Sequence, residues 1–230
     1  MTSNPLLHCE ELPRFSTIRA EHIEPAISAV LADNRSWLGT ILDAPANKTD
    51  PDWQSLMAPL DDMEDRLGKV WSTVSHLNAV RNTPEIREAY NTCQPMITEY
   101  YTALGQNRAL FEVVKTLAGR ADELLLGNSQ RKILRDYLLE FRLAGVDLDE
   151  ERKKRFAELE SRLSKLSNTF SNNVLDATMA WSKQVTDVAE LSGIPEMTVR
   201  GAADTALRKG LEGYILTLDA PCYISVITNA

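Results

Sequence analysis

The sequence is poor in the residues that most often carry metal and thiol chemistry. Its 230 residues include three histidines, His8, His22 and His76, and three cysteines, Cys9, Cys93 and Cys222. A zinc hydrolase site on a helix needs H-E-x-x-H: two imidazoles one turn apart reach the same metal, and the adjacent glutamate polarises water. That motif is absent, and the three histidines form no local pair. The cysteines are odd in number, far apart and never C-x-x-C, which argues against a disulfide framework or a thiolate zinc site and suits a reducing compartment. No run of about 18 uncharged apolar residues exists to span a membrane. The opening MTSNPLLHCEELPRF lacks the basic and hydrophobic regions of a signal peptide, so a cytoplasmic location is expected. There is no G-x-S-x-G elbow, P-loop or glycine-rich dinucleotide turn. Basic charge is also short, with 25 Lys and Arg against 33 Asp and Glu, a net charge of −8 and a pI near 5.0. The basic residues are scattered among acidic ones, so neither nucleic acid nor an anionic membrane is expected as a partner.

What is present is helical periodicity. With 43% apolar and 25% charged residues, the chain can bury one substantial core, or a core plus a small appendage. From Ile23, the positions Ile27, Val30, Asn34, Trp37 or Leu38, and Ile41 recur at steps of three and four, which predicts a helix with Pro25 in its first turn. Asp50 and Pro51 read as a cap and first helical position for a second helix carrying Leu56, Leu60, Met63, Leu67, Trp71 and Val74, with Pro59 kinking its start. Thr83 and Pro84 repeat the cap-then-proline signature for a third helix ending at Gly105. Asn107 to Leu126 and Ser129 to Leu143 read as two more, with Gly127 and Gly145 as stops. The most regular element runs from GVDLDEE towards Met179, with Phe156, Leu159, Leu163, Leu166 and Phe170 spaced for coiled-coil packing.

After that helix, WSKQVTDV predicts a short strand or extended link, SGIPEM a turn into a helix ending near Gly210, and GYILTLD a strand. No fixed-period repeat or low-complexity linker is present, so a solenoid is not supported. The expected fold is all-α: long antiparallel helices in a bundle, with one or two short C-terminal strands. The strand at Gly213 to Asp219 has no obvious partner, and APCYISVITNA opens a buried-type helix that stops at Ala230. Single strands leave backbone groups unpaired, so the chain is expected to be a piece of something longer.

Candidate functional residues are few, and no catalytic or metal-binding residue is expected. The acidic pairs Asp61 with Asp62 and Glu150 with Glu151 read as solvated helix charges. His76, near the end of the second helix, could touch a ligand, but one histidine without partners specifies no chemistry and a structural role outweighs it. Tyr90, Tyr100 and Tyr101 could line a peptide groove, although tyrosines at helical spacing more often pack their rings. The long helix ends in a polar run, RLSKLSNTFSNNVLDATMAW, in which Asn172, Asn173 and Asp176 either stitch the helix to later segments or line a wet cleft that accepts peptide backbone. Asn172, Asn173 and His76 are therefore the candidate substrate-binding residues.

That same stretch, with ELPRFSTIRAEHIEPAI, VWSTVSHLNAVRNTPEIREAYN, ELSGIPE and LEGYILTLDAPCYISVI, resembles the thimet oligopeptidase (neurolysin) family of zinc metallopeptidases, and most closely its bacterial oligopeptidase A branch. The blocks fall in order over nearly all 230 residues. The resemblance implies a mostly helical protein divided by a deep channel, with zinc held by H-E-x-x-H in a C-terminal half, cleaving short peptides in the cytoplasm. It places residues 1–230 as the N-terminal helical domain, forming one wall of the channel, with the catalytic domain outside this chain. Zinc is then expected in the full-length enzyme and no cofactor in this part, which should be inactive alone. The expected partners are the C-terminal catalytic half and the short peptide substrates. The surface meant for that half should make the isolated chain self-associate. The alternative is a stand-alone helical module that binds a peptide or partner helix without catalysis.

Overall fold

The computed structural model describes residues 4–8 and 12–229, so Cys9 lies outside the described residues. The chain divides into two compact units, Met1–Lys165 and Leu166–Ala230. The expected all-α architecture with short C-terminal strands is what the structure has. No helix among the described residues is long and apolar enough to cross a membrane.

In the first unit, α1 (Ile23–Asp43), α3 (Ala58–Val80) and α4 (Pro84–Gly105) form the frame, with the five-residue α2 (Pro45–Thr49) between the first two. One core cluster joins Ile23 to Leu31 with Leu67 to Leu77, and a second joins Ile41 with Leu56 to Met63. The beginning of α1 thus meets the end of α3, and the two run antiparallel. Asn34, counted in the apolar stripe of α1, is fully buried, and its Nδ2 donates to the Met63 carbonyl at 3.2 Å and to the Tyr100 hydroxyl at 3.4 Å. A polar residue holds a core position there because it ties three helices together.

The second predicted helix starts later than Asp50 and Pro51 suggest. Asp52 is the cap: its carboxylate accepts from the Ser55 amide at 2.8 Å, and Ser55 Oγ accepts from the Asp52 amide at 3.1 Å. A single π-helical turn, Trp53–Met57, precedes α3. The physical reason is Pro59, which cannot donate to the Ser55 carbonyl four residues back and whose ring crowds it. Asn47 takes over that carbonyl, with Nδ2 donating to Ser55 O at 2.9 Å and to Ile41 O at 2.8 Å.

Thr83 caps α4 as its sequence suggests, accepting from the Ile86 amide at 3.4 Å. Helix α5 (Arg108–Gly119) is capped by Asn107 and stops seven residues short of the predicted Leu126. Beyond Gly119 the chain curls, and Arg120 donates to the Pro51 carbonyl at 3.0 Å while pairing with Glu123 at 2.8 Å and with Asp50. The curl returns Leu126 to the core against α6 (Asn128–Leu143).

Helix α7 (Glu150–Ala180) has the predicted length but not the predicted packing. None of its described side chains is buried, and Leu163 and Phe170 are 59% and 70% exposed. The coiled-coil expectation for this stripe is therefore corrected: regular spacing defines an apolar face without supplying a neighbour for it. In its first-unit half, α7 is held to α4 by polar contacts, with Thr98 Oγ1 and Ser164 Oγ 2.8 Å apart and Gln94 Nε2 donating to the Ser164 carbonyl at 3.5 Å.

The second unit holds the rest of α7, then β1 (Ser182–Val185), α8 (Glu196–Arg208), β2 (Tyr214–Thr217) and α9 (Ala220–Asn229). The strand that looked unpartnered in the sequence is paired: β1 and β2 run antiparallel, with Ser182 opposite Thr217 and Val185 opposite Tyr214. The partner is the WSKQVTDV stretch, read as a short strand or extended link. Gly213, with φ +83°, makes the pairing possible, because a Cβ there would lie 2.3 Å from the Val185 carbonyl oxygen. A small core of Val185, Leu191, Ile194, Ala202 and Leu216 underlies the sheet.

Candidate functional site

Among several concavities of the first unit, three of them larger at about 290, 310 and 600 Å³, one of about 240 Å³ lies where α3, α4, α5 and α6 converge. It follows from a local sequence choice. Gly105 closes α4 against Ala144, where a Cβ would come within 2.6 Å of the alanine Cβ, so the two helix ends approach closely. Leu60, Met63, Leu104, Leu110 and Phe141 make most of the lining apolar.

Its polar groups are Glu64, Glu140, Tyr101 and Tyr137. The Tyr101 hydroxyl donates to Glu64 Oε2 at 3.2 Å. Burial pushes the Glu64 carboxyl above its ordinary value, the Tyr101 hydrogen bond opposes this, and the nearby charges of Glu140 and Asp61 push it further up. Burial and then Glu64 raise both tyrosines, and Glu140 and Asp61 add to the rise of Tyr137, which reaches about 12. Both phenols therefore stay protonated at neutral pH as donors. Among the described residues, no lysine, arginine or histidine forms an ion pair with Glu64 or Glu140.

The sequence-derived candidates sit elsewhere. His76 is exposed on α3, with its ring 5.5 Å from that of Phe15 and tilted by 58°. Asn172 and Asn173 belong to the second unit; Asn172 is half-buried and donates to Asn168 Oδ1 at 3.5 Å, one turn back on α7, while Asn173 is exposed. The two asparagines are thus neighbours, with His76 in the other unit. The tyrosines divide by role. Tyr90 stacks on Trp71 at 4.8 Å, Tyr100 is buried against Asn34, and Tyr101 alone of the three lines the cavity. Burial raises the Cys93 thiol to about 11, helped by Glu24, so it stays protonated and inert.

Glu64 was not among the sequence candidates, although a signal existed. It lies four residues after Leu60 and three before Leu67, which puts a carboxylate at the edge of the buried face of α3.

The donor set does not fit zinc. Among the described residues, no group of three or more His, Cys, Asp or Glu side chains is arranged to hold a metal ion. Glu64 and Glu140 offer two hard oxygen donors beside apolar rings, without imidazole or thiolate, unlike the N and S donors zinc prefers. Asp61, Asp62, Glu150 and Glu151 are all exposed.

Comparison with known proteins places this geometry in a family. Residues 36–153 match the profile of the neurolysin/thimet oligopeptidase N-terminal domain. The chain is 42% identical over 226 residues to Oligopeptidase A of Haemophilus influenzae and 44% identical over 226 residues to Oligopeptidase A of Escherichia coli. Each alignment covers 98% of this chain and 33% of the relative. Organellar oligopeptidase A of Arabidopsis thaliana is 35% identical over 237 residues, with 100% of this chain and 30% of that protein covered. The chain thus spans about a third of the length of these relatives. A domain profile matched across the helices that build the cavity, together with likeness over nearly the whole chain, shows that this chain belongs to the neurolysin/thimet oligopeptidase family.

Proposed function

We propose that residues 1–230 are the N-terminal, non-catalytic domain of a metalloendopeptidase that hydrolyses short oligopeptides. In this reading the domain forms one wall of the substrate passage, and the zinc-activated water that attacks the peptide comes from a part of the longer protein outside these residues. The observation that supports it is the coverage: the likeness to proteins named Oligopeptidase A runs over 98% of this chain and only 33% of theirs. The working compartment is the cytoplasm. His76 in the first unit and, separately, Asn172 and Asn173 in the second are the candidate contacts for the peptide backbone.

The test compares the 230-residue chain with the protein encoded by the uninterrupted gene. An internally quenched peptide of about ten residues should be cleaved by the longer protein, stop on chelation, and be left intact by the shorter one. Stoichiometric zinc, or chelator-sensitive cleavage, in residues 1–230 alone would overturn the proposal. An open reading frame ending at Ala230 would favour instead the stand-alone binding module, for which the apolar cavity of the first unit is the supporting feature. In the longer protein, replacing Asn172 and Asn173 by alanine should raise KM with little change in kcat if they bind substrate uniformly.

A further inference from the structure

We propose that the cavity between α3, α4 and α6 is a binding site for a primary ammonium carried on a short apolar stem. Glu64 and Glu140 receive the cationic head, and Leu60, Met63, Leu104 and Phe141 the stem. The proposal stands apart from the peptidase reading, since it uses only residues of the first unit and no cleavage chemistry.

Three features of the cavity select this occupant. Its size comes first: about 240 Å³ is below the roughly 300–1,000 Å³ of pockets for drug-sized ligands, so the occupant is small. Its charge comes second. Glu64 and Glu140 line one small space with Asp61 close by, and no cationic side chain among the described residues pairs with either lining carboxylate. Half-buried Glu64 loses solvation that its Tyr101 hydrogen bond offsets only in part, the exposed Glu140 adds like charge, and the arrangement is relieved by a proton or by a cation. An anion is repelled, and a neutral apolar guest dehydrates the carboxylates and returns nothing. The third feature is the aromatic rim. Tyr101 and Tyr137 flank the carboxylates, and ring faces attract cations within about 6 Å. Tyr101 already donates to one oxygen of Glu64, leaving the other to accept from an ammonium. A compact ammonium with three donors suits this setting, and the apolar lining suits methylene groups.

The probe is n-hexylamine, titrated calorimetrically into the 230-residue chain at neutral pH and low salt, with n-hexanol and hexanoate as neutral and anionic counterparts. Hexylamine should bind at least roughly tenfold more tightly than hexanol, because hydrogen bonds to charged groups are the stronger kind, and hexanoate should not bind. Added salt should weaken the amine and not the alcohol. Glu64→Gln should lower amine affinity about tenfold, Glu140→Gln less because it is more exposed, and both variants should stay folded, with circular dichroism melts no lower than that of the wild type. Methyl NMR gives a readout without substitution: signals of Leu60, Met63 and Leu104 should move on amine addition. A second arm compares acetyl-Gly-Lys-Gly-amide with its norleucine counterpart. Binding of the lysine peptide assigns the site to a side chain, and binding of hexylamine alone assigns it to a free amine. Equal affinity for hexanol, undiminished amine binding in the folded double variant, or methyl shifts elsewhere in the chain would each overturn the proposal. So would an absence of both heat and methyl shifts at millimolar amine.

Discussion

The two units use similar apolar sequence in opposite ways. In the first, Ile23, Ile27, Leu31, Leu56 and Leu67 reach zero exposure, and two clusters of large aliphatic side chains fill the space between helices. In the second, the small cluster under the sheet includes an alanine, Ala202, and a 3% exposed valine, Val185, while Met197, Leu207 and Ile227 stay 85%, 78% and 63% exposed. Burying a methyl group yields far less than burying a leucine. The first unit is therefore held by two large clusters, and the second by one small cluster that includes Leu191, Ile194 and Leu216, together with strand pairing and the backbone geometry at Gly213. The difference teaches that an amphipathic pattern reports which face is apolar, while stability depends on whether another surface covers it.

The sharpest way to test that contrast is to make the same cut in both stripes. Leu67→Ala in α3 should cost about 2–5 kcal/mol of stability by urea denaturation, because a fully buried leucine leaves a cavity. Leu207→Ala in α8 removes the same atoms from a second-unit residue 78% exposed and should cost about 0.5 kcal/mol or less. Equal losses would show that the apolar face of α8 is covered in solution and would dissolve the comparison.

Next in size is the backbone of the second unit. Gly213→Ala forces a side chain into positive φ and against the Val185 carbonyl, which should cost about 1–3 kcal/mol. The loss should be local. Hydrogen exchange at the amides of β1 and β2 should accelerate, while those of α1 and α3 keep their protection. A uniform acceleration across both would mean that the sheet is not a separate source of stability.

A third effect concerns the exposed faces. Isolated chains should self-associate through apolar surface, so Phe170→Ser with Ile227→Ser should raise the dissociation constant in sedimentation about tenfold, roughly 1.4 kcal/mol, with little change in unfolding. A wild-type chain that stays monomeric at high concentration would remove the basis for that expectation.

These contrasts also mark how far the sequence could be read. The stripes of α1, α3 and α4 were readable because their partners are one another, and the Thr83–Pro84 cap is a purely local signal. Asn34 fitted its stripe without betraying the bridge it makes to Met63 and Tyr100. Helix starts failed where a local rule had a rival: Asp50–Pro51 and Asp52 both look like caps, and Pro59 with Asn47 decides between them through bonds that span the loop. The third helix reads through Pro95 to Gly105 on its apolar spacing alone, and α4 does continue through that proline. WSKQVTDV read as a short strand or extended link, but its pairing with β2 was not legible, because strand pairing joins residues such as Ser182 and Thr217 that no local signal connects. Of the cavity, only Tyr101 was anticipated. Glu64 could have been found by asking why a carboxylate shares the spacing of Leu60 and Leu67.

The smallest expected effect tests that carboxylate, and its sign is the informative part. Burial comes first among the causes that raise Glu64, so the folded state holds its proton more tightly than the unfolded chain, whose ordinary value is 4.5. Stability linked to this group is fully present below that value and is lost as pH rises through the higher folded one. Glu64→Gln keeps the shape and removes the charge. At neutral pH it should therefore stabilise the first unit, by about 0.5 kcal/mol or less for a half-buried site. Glu140, Asp61, Tyr101 and Tyr137 also face the site, and the tyrosines remain protonated across this range, so the carboxylates set the trend. The advantage of the variant should shrink as pH falls below the ordinary carboxylate range, where wild type is protonated as well. Urea midpoints of the two proteins, measured across that interval, read the difference directly. A variant less stable at neutral pH, with a deficit that does not depend on pH, would mean that the Tyr101 hydrogen bond outweighs desolvation. The cavity would then be a satisfied pocket with no need of a cation.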